Sequence, residues 1–420
     1  MILQNATSFD QELALVEASP INFFLEVDAE FPQEIHDKMN DFPFLPEQIK
    51  PPGDRYVKLI AHLGHRKNYI ISLEMFLLAR QEGVKFSKIH RVLQFDQAPW
   101  LRSYMELNTN LRQATSDPFQ QDYYKLMNNS AYGKMLEQVT KYINFKLFTT
   151  QNAKKFKVLH ERKPYLVKQK LVYHRCSTHT ACPRSAECSK EEGCVVGMEL
   201  KKLKAVLSKP SYAGVKVLEN SKLVMYRFYY HVLKPLFGER MRVLGTDTDS
   251  FILEIISEDI VDDLNQIRSH MDFSNLAKNN PLFDVTNRKV PGKFKIEYPD
   301  DILTKFAGLR SKSYCLETLS GNVIARAKGT KKSVVRKTLK MQDYEKCLNE
   351  QALIYRTQHL LRSRLQRIFS IKQSKVSLSA MDTKRFLKPD CQDSLAWGHY
   401  AAIAEDSSDE EEESGPSDCE

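Results

Sequence analysis

The order of elements along these 420 residues predicts an α+β fold built on a mostly antiparallel sheet. Strand-like and helix-like stretches alternate without a regular βαβ rhythm, which argues against a doubly wound parallel sheet. Residues 242–254 interrupt two apolar stretches with Gly-Thr-Asp-Thr-Asp-Ser, which is hairpin chemistry. No internal repeat points to a solenoid or propeller.

Each element has its own signal. Pro43, Pro46, Pro51, Pro52 and Gly53 predict a loop, and residues 57–60 and 68–72 read as strands after it. Trp100, Tyr104, Leu107 and Leu111, spaced four, three and four apart, make one apolar helix stripe that is expected to face the core. Residues 123–138 predict a second helix, with Lys125, Asn129 and Tyr132 at i, i+4 and i+7 on one face. Residues 160–198 are polar and cysteine-bearing, and read as a loop or small insert. Apolar runs return as a helix over 224–230 and strands over 243–256. Alternation predicts further strands over 293–298 and 313–318. Tyr344, Leu348, Ala352, Tyr355 and His359 then mark a last helix.

With 42% hydrophobic and 10% aromatic residues, the chain can bury more than one core. It has no apolar run near the roughly 20 residues that a membrane crossing needs, and residues 1–10 lack a signal-peptide pattern. Cys315, Cys347, Cys391 and Cys419 stand isolated, so the expectation is a reduced, intracellular protein. The net charge of +9 hides an asymmetry. Residues 405–420 hold nine acids and no Lys or Arg, so residues 1–404 keep 62 basic against 44 acidic side chains, a formal +18. Such a body favours a polyanionic partner, with a solvated basic surface as the plainer reading. The acidic tail 405–420 is expected to be disordered.

Several residues carry chemistry. Asp247 and Asp249 flank Thr248, so on an extended backbone both carboxylates point to one side of a sheet. Two close carboxylates repel unless a hard divalent cation, normally Mg²⁺, sits between them; an Asp-containing turn is the alternative. Lys125, Asn129 and Tyr132 suit a nucleotide, the lysine neutralising a triphosphate and the tyrosine packing on base or sugar. Gly133 permits close backbone approach.

These segments resemble a family. Lys125-Leu-Met-Asn-Asn129-Ser130-Ala-Tyr132-Gly133 resembles motif B of family B DNA polymerases. Gly245-Thr-Asp247-Thr-Asp249-Ser250 resembles their motif C, and Lys312-Ser-Tyr314 resembles the Lys-x-Tyr motif that holds the primer terminus. The phrases Leu25-Glu-Val-Asp-Ala-Glu-Phe-Pro32, Lys88-Ile-His-Arg-Val-Leu93, Leu309-Arg-Ser-Lys-Ser-Tyr314, Ala327-Lys-Gly-Thr-Lys-Lys-Ser333 and Ala396-Trp-Gly-His-Tyr400 are similar to the protein-primed branch of Polinton or Maverick transposons and related viruses.

The resemblance implies a right-hand fold with helical fingers, an antiparallel palm and a thumb. It implies transfer of a nucleotidyl group from a deoxynucleoside triphosphate to a primer hydroxyl on primer–template DNA, with two Mg²⁺ ions (Mn²⁺ as an alternative) and a terminal protein as primer. Asp249 would be the direct metal ligand and Asp247 a ligand or its organiser. Lys125 would grip the triphosphate, Asn129, Tyr132 and Gly133 the nascent pair, and Lys312 and Tyr314 the primer. The basic run containing Lys328, Lys331, Lys332 and Arg336 would be thumb surface contacting the DNA backbone.

On this reading residues 1–20 are an N-terminal extension, 21–98 a palm-associated insertion, 99–159 fingers, 160–198 a cysteine-bearing insert, 199–320 palm, 321–404 thumb and 405–420 tail. A nuclear rather than organellar protein is expected.

The chain also departs from the family's pattern. The Asp-bearing motif A phrase does not occur, and Glu26 and Asp28 only superficially imitate it. Nothing resembles the proofreading exonuclease. Before motif B, where the branch clusters Lys and Arg, residues 110–115 retain Arg112 alone. The expectation is a transposon-derived fragment with impaired synthesis by itself; the other reading is an inactive, domesticated DNA-binding protein that uses the basic thumb. Cys176, Cys182, Cys188 and Cys194 lie six apart, near His174 and His179. They could hold zinc, but they lack the usual spacing of two to four residues within pairs, so unpaired loop thiols are the alternative.

Overall fold

The computed structural model describes residues 8–148, 153–161, 166–173, 195–200, 204–299, 301–364, 367–388 and 393–402. Helices and antiparallel sheets are mixed, as an α+β chain requires. The chain divides into two compact units: Met1–Asn128 with Val215–Gln358 and Ser374–Glu420, and Asn129–Gly214 with His359–Gln373. No helix among the described residues is long and apolar enough to cross a membrane.

The larger unit has two cores. The first is organised by the strand Ile21–Glu30, which lies between Arg66–Ser72 and Lys85–Asp96 in an antiparallel sheet. Leu25, Val27 and Ala29 alternate inward on it, as a half-buried strand dictates. The helix Leu73–Gln81 covers that face with Met75, Leu77 and Leu78, and starts sharply because the Ser72 hydroxyl accepts from Met75 N–H. Behind it the helix Ser211–Arg227 runs into a π-helical turn, Phe228–Leu233. Tyr226, near the end of the α-helix, and Tyr230, in the π-turn, both face inward: Phe44 stacks on Tyr226 at 4.3 Å and on Tyr230 at 4.9 Å. Both tyrosine hydroxyls are satisfied, donating to the carbonyls of Pro43 and Phe42 at 2.8 Å.

The second core, with Leu309, Cys315, Val335, Tyr344, Cys347 and Leu378, lies under the sheet Leu303–Arg310, Ser313–Thr318 and Val323–Arg326 and the helices Lys332–Thr338 and Met341–Asn349. Tyr344, fully buried, ties helix to sheet by donating to the Arg326 carbonyl at 2.9 Å.

Several expectations need correction. Three of the four stripe residues face outward: Trp100, just ahead of the helix Arg102–Ala114, is 61% exposed, Leu107 57% and Leu111 39%, and of the stripe only Tyr104 turns inward. The inner face is polar instead. Asn108 is buried, Tyr104 donates to the Met127 carbonyl at 3.2 Å, and Asn128 donates to the Thr109 hydroxyl at 3.4 Å, so hydrogen bonds join this helix to the next. The next helix spans Pro118–Met135, earlier at both ends than expected, because Asp117 caps Phe119 N–H ahead of Pro118.

The last helix stops at Asn349. Gln351 takes a left-handed φ of +51°, and the chain resumes as the strand Ile354–Arg364, carrying Tyr355 and His359. Residues 293–298 form no strand; Phe294 makes one isolated bridge to Met271.

In the smaller unit, residues 160–198 are not wholly a loop. The helix Ala153–Glu161 reaches into this range, and the strands Leu166–Tyr173 and Val195–Leu200 join Asn144–Phe148 in an antiparallel sheet with Val195–Leu200 in the middle. The alternation of Val196, Met198 and Leu200, with Met198 fully buried, was the available signal. Cys176, Cys182, Cys188 and Cys194 and the tail 405–420 lie outside the described residues.

Candidate active site at two hairpin tips

The hairpin of Met241–Thr246 and Phe251–Ile255 carries the aspartates, but on its turn rather than its strands. Asp247 N–H donates to the Ser250 carbonyl at 3.2 Å and Asp249 N–H to the Asp247 carbonyl at 2.7 Å. This folds the four residues back on themselves and puts Thr248 at φ +64°. The same-side argument for an extended pair therefore does not apply; the turn places both carboxylates in solvent. A β-branched residue in the left-handed region costs about 1–2 kcal/mol, strain that the rest of the hairpin must hold. Phe251 supplies the anchor: it follows the turn directly and packs edge-on against Phe42 at 5.4 Å. On the other strand, Val243 N–H donates to the Asp41 carboxylate at 3.2 Å.

Lys312 occupies the corresponding position on a second hairpin, between Leu303–Arg310 and Ser313–Thr318, and also has a left-handed φ, +61°. Its ammonium lies 3.4 Å from the Asp247 carboxylate. Both partners are about half exposed, 61% and 49%, so this is a contact between two accessible tips. Asp249 accepts no hydrogen bond among the described residues.

The other residues of the Lys-x-Tyr segment and the basic run follow from the same sheet. Tyr314 leans on Phe306 and faces Arg326 across the strand pair. Lys328 N–H donates to the buried Ser313 hydroxyl at 3.2 Å, which brings the start of the basic run beside the Lys-x-Tyr strand. Lys331, Lys332 and Arg336 are exposed at and on the helix Lys332–Thr338. Arg356, further along the chain, is paired with Asp343 at 2.7 Å.

Residues 6–213 match the family model for DNA polymerase type B, organellar and viral. Neither a curated protein nor a solved structure matches the chain. The polymerase match covers just under half of the chain and includes Lys125, Asn129, Tyr132 and Gly133. Asp247, Asp249, Lys312 and Tyr314 lie beyond it.

Lys125, Asn129, Tyr132 and Gly133 share the helix Pro118–Met135, where Lys125 and Asn129 are exposed and Tyr132 is half buried. Gly133 is not explained by its neighbours: a β-carbon there would meet nothing within 4 Å. Glycine inside a helix costs about 1 kcal/mol relative to alanine, so this open face is maintained at a cost in stability.

Glu26 and Asp28, the imitation of motif A, are otherwise engaged. Asn68 donates to both, Arg91 pairs with Glu26, and His90 approaches Asp28 at 2.8 Å. Hydrogen bonds from Arg91 and Asn68 lower the Glu26 pKa, and that from Asn68 N–H leads in lowering that of Asp28.

As a metal centre, Asp247 and Asp249 offer the oxygen donors that suit a hard divalent ion. Among the described residues no group of three or more His, Cys, Asp or Glu could hold a metal. The donor set therefore suits an ion whose other ligands are water and substrate phosphate, as Mg²⁺ accepts, rather than an enclosed protein cage.

Proposed function

We propose that this chain is a DNA-directed DNA polymerase of type B with a right-hand arrangement, acting at the paired hairpin tips. The observation that carries the reading is the approach of Lys312 to Asp247 at 3.4 Å. It joins two segments, separated in sequence, that resemble different parts of one nucleotidyl-transfer site. The reaction forms a bond from the primer 3′ oxygen to the α-phosphorus of a deoxynucleoside triphosphate and breaks that phosphorus's bond to the departing pyrophosphate.

Asp247 and Asp249 would hold the divalent ion, Mg²⁺ or Mn²⁺, which when bound lowers the pKa of the attacking hydroxyl and steadies the leaving pyrophosphate. Lys312 exchanges Asp247 for a primer phosphate, and Tyr314 packs beside it. Lys125 grips the triphosphate, while Asn129, Tyr132 and Gly133 line the nascent pair. The phrases shared with Polinton-type sequences support a protein-primed, transposon-derived origin, with a terminal protein as the primer.

The test is templated nucleotide binding. With primer–template DNA present, the complementary triphosphate should bind more tightly with Mg²⁺ than without it, and more tightly than a mismatched one. Equal affinity in all three conditions would remove the polymerase reading.

The basic run gives an independent prediction. Lys331 and Lys332 are exposed cations next to the Lys-x-Tyr sheet, so Lys331→Ala with Lys332→Ala should flatten the salt dependence of duplex binding by up to roughly 2 in log–log slope. Because phosphate contacts carry no base information, the loss should be similar for unrelated DNA sequences.

A further inference from the structure

We propose that Arg112, Arg288, Lys289 and Lys295 form a second phosphate-binding surface, distinct from the basic run containing Lys328, Lys331, Lys332 and Arg336, that holds a phosphodiester of the DNA backbone. This rests on the DNA-binding part of the reading above. In sequence Arg112 stands alone in residues 110–115. In the structure the last turn of the helix Arg102–Ala114 is joined to the segment around residues 288–289. Lys289 donates through its ammonium to the Arg112 carbonyl at 3.2 Å, and the Gln113 amide donates to the Arg288 carbonyl at 3.3 Å.

Lys289 adopts φ +58°, and its N–H is held by the buried carboxylate of Asp272 at 3.0 Å. Asp272 also accepts from Ser274 N–H at 3.0 Å and lies 3.9 Å from Lys295. This one carboxylate, already occupied by backbone donors, is shared by Lys289 and Lys295, while Arg112 and Arg288 add two more positive charges around Lys289.

Two further features mark the cluster as incomplete by itself. Arg112 Nε is buried and finds no hydrogen-bond acceptor among the described residues. A buried donor left without a partner costs about 1–3 kcal/mol, so the guanidinium is not fully satisfied by the protein itself. The Lys289 ammonium is driven below its usual pKa, first by burial and then by the charges of Arg288, Arg112 and Lys295. Like charges held this close are relieved by an anion, and the exposed Arg288 leaves the surface open to one.

The experiment compares the full chain with Arg288→Gln and with Arg112→Gln/Arg288→Gln, leaving Lys289 in place because it closes the end of a helix. Binding of a 20-base-pair duplex is followed as a function of salt. The slope of log affinity against log salt should fall by about 0.9 for the single variant and up to about 1.8 for the pair, with Lys331 and Lys332 untouched. Binding of dATP, which carries the same phosphate chemistry on a small molecule, should not change.

An unaltered slope in the exposed Arg288→Gln variant, with an unaltered melting temperature, overturns the proposal even if the double variant misfolds. So does a loss confined to dATP. Absence of DNA binding by the unsubstituted chain would overturn the wider reading as well, whereas salt-sensitive binding that both variants retain removes this surface alone.

Discussion

Asp249→Ala is expected to abolish the Mg²⁺-dependent part of nucleotide binding, at least tenfold in affinity, and to reduce any templated incorporation by 100-fold or more. The two aspartates are not equivalent. The Asp249 carboxylate has no hydrogen bond to give up among the described residues, whereas that of Asp247 sits 3.4 Å from Lys312 and must exchange that contact for an ion. Tenfold corresponds to about 1.4 kcal/mol, a modest demand on one ligand to a divalent cation.

Asp247→Asn separates the roles. It should also weaken Mg²⁺-dependent nucleotide binding, yet leave duplex affinity unchanged or slightly raised, because Lys312 is then free for phosphate. The change should be small, since an exposed pair contributes about 0–1 kcal/mol. Titration of labelled nucleotide with and without Mg²⁺, alongside duplex binding on the same preparations, measures both. If Asp249→Ala binds nucleotide as the parent chain does, the turn is only a turn.

The chemistry-bearing motifs were more legible than the packing around them. The hairpin around Asp247 and the Lys-x-Tyr strand stand where their sequences put them, because Gly-Thr-Asp-Thr-Asp-Ser and the apolar flanks specify a tight turn locally. The meeting of Asp247 with Lys312 was not readable, since two turns 65 residues apart leave no periodic trace of their contact. The outward stripe at Trp100 and Leu107 shows the converse: helical spacing identified the helix, while hydrogen bonds through Tyr104 and Asn128 decided which face turns inward. Gln351 ended a helix whose spacing ran on past it, and a left-handed φ at glutamine gives no compositional warning.

Ala396-Trp-Gly-His-Tyr400 has a physical role in the fold. Leu63 N–H donates to the Trp397 carbonyl at 2.7 Å, and Tyr400 N–H to His36 Nδ1 at 3.1 Å. Gly398, at φ +83°, lies so close that a β-carbon would stand 2.8 Å from Gly64 N. Only glycine satisfies both the backbone angle and the space. The phrase thus clasps a late segment of the chain onto the loop 62–66.

That loop is held by Arg66, and Arg66→Met should destabilise the larger unit by at least about 1–3 kcal/mol, the cost of one buried acceptor left unpaired. The side chain is fully buried. Its Nε donates to the Leu45 carbonyl at 2.8 Å, its Nη2 to the His62 carbonyl at 2.7 Å, and its Nη1 to His62 Nδ1 at 2.9 Å and to the Gly64 carbonyl. Phe31 lies 5.1 Å from the guanidinium. Methionine would fill part of the volume but leave three carbonyls and an imidazole nitrogen without that donor.

The same site fixes a pH dependence. Burial, reinforced by the Arg66 charge, pushes the His62 pKa from 6.5 down to about 3. Folded His62 therefore binds fewer protons than unfolded His62 between about pH 6.5 and 3. Its contribution is complete above that window and is lost as pH falls through it. Denaturant midpoints should drop on acidification from pH 7 to 4.5, and drop less in His62→Asn, which keeps an acceptor but cannot titrate. Arg66→Met should be destabilised already at pH 7; a midpoint equal to that of the parent chain would mean that the loop is held by something other than this guanidinium.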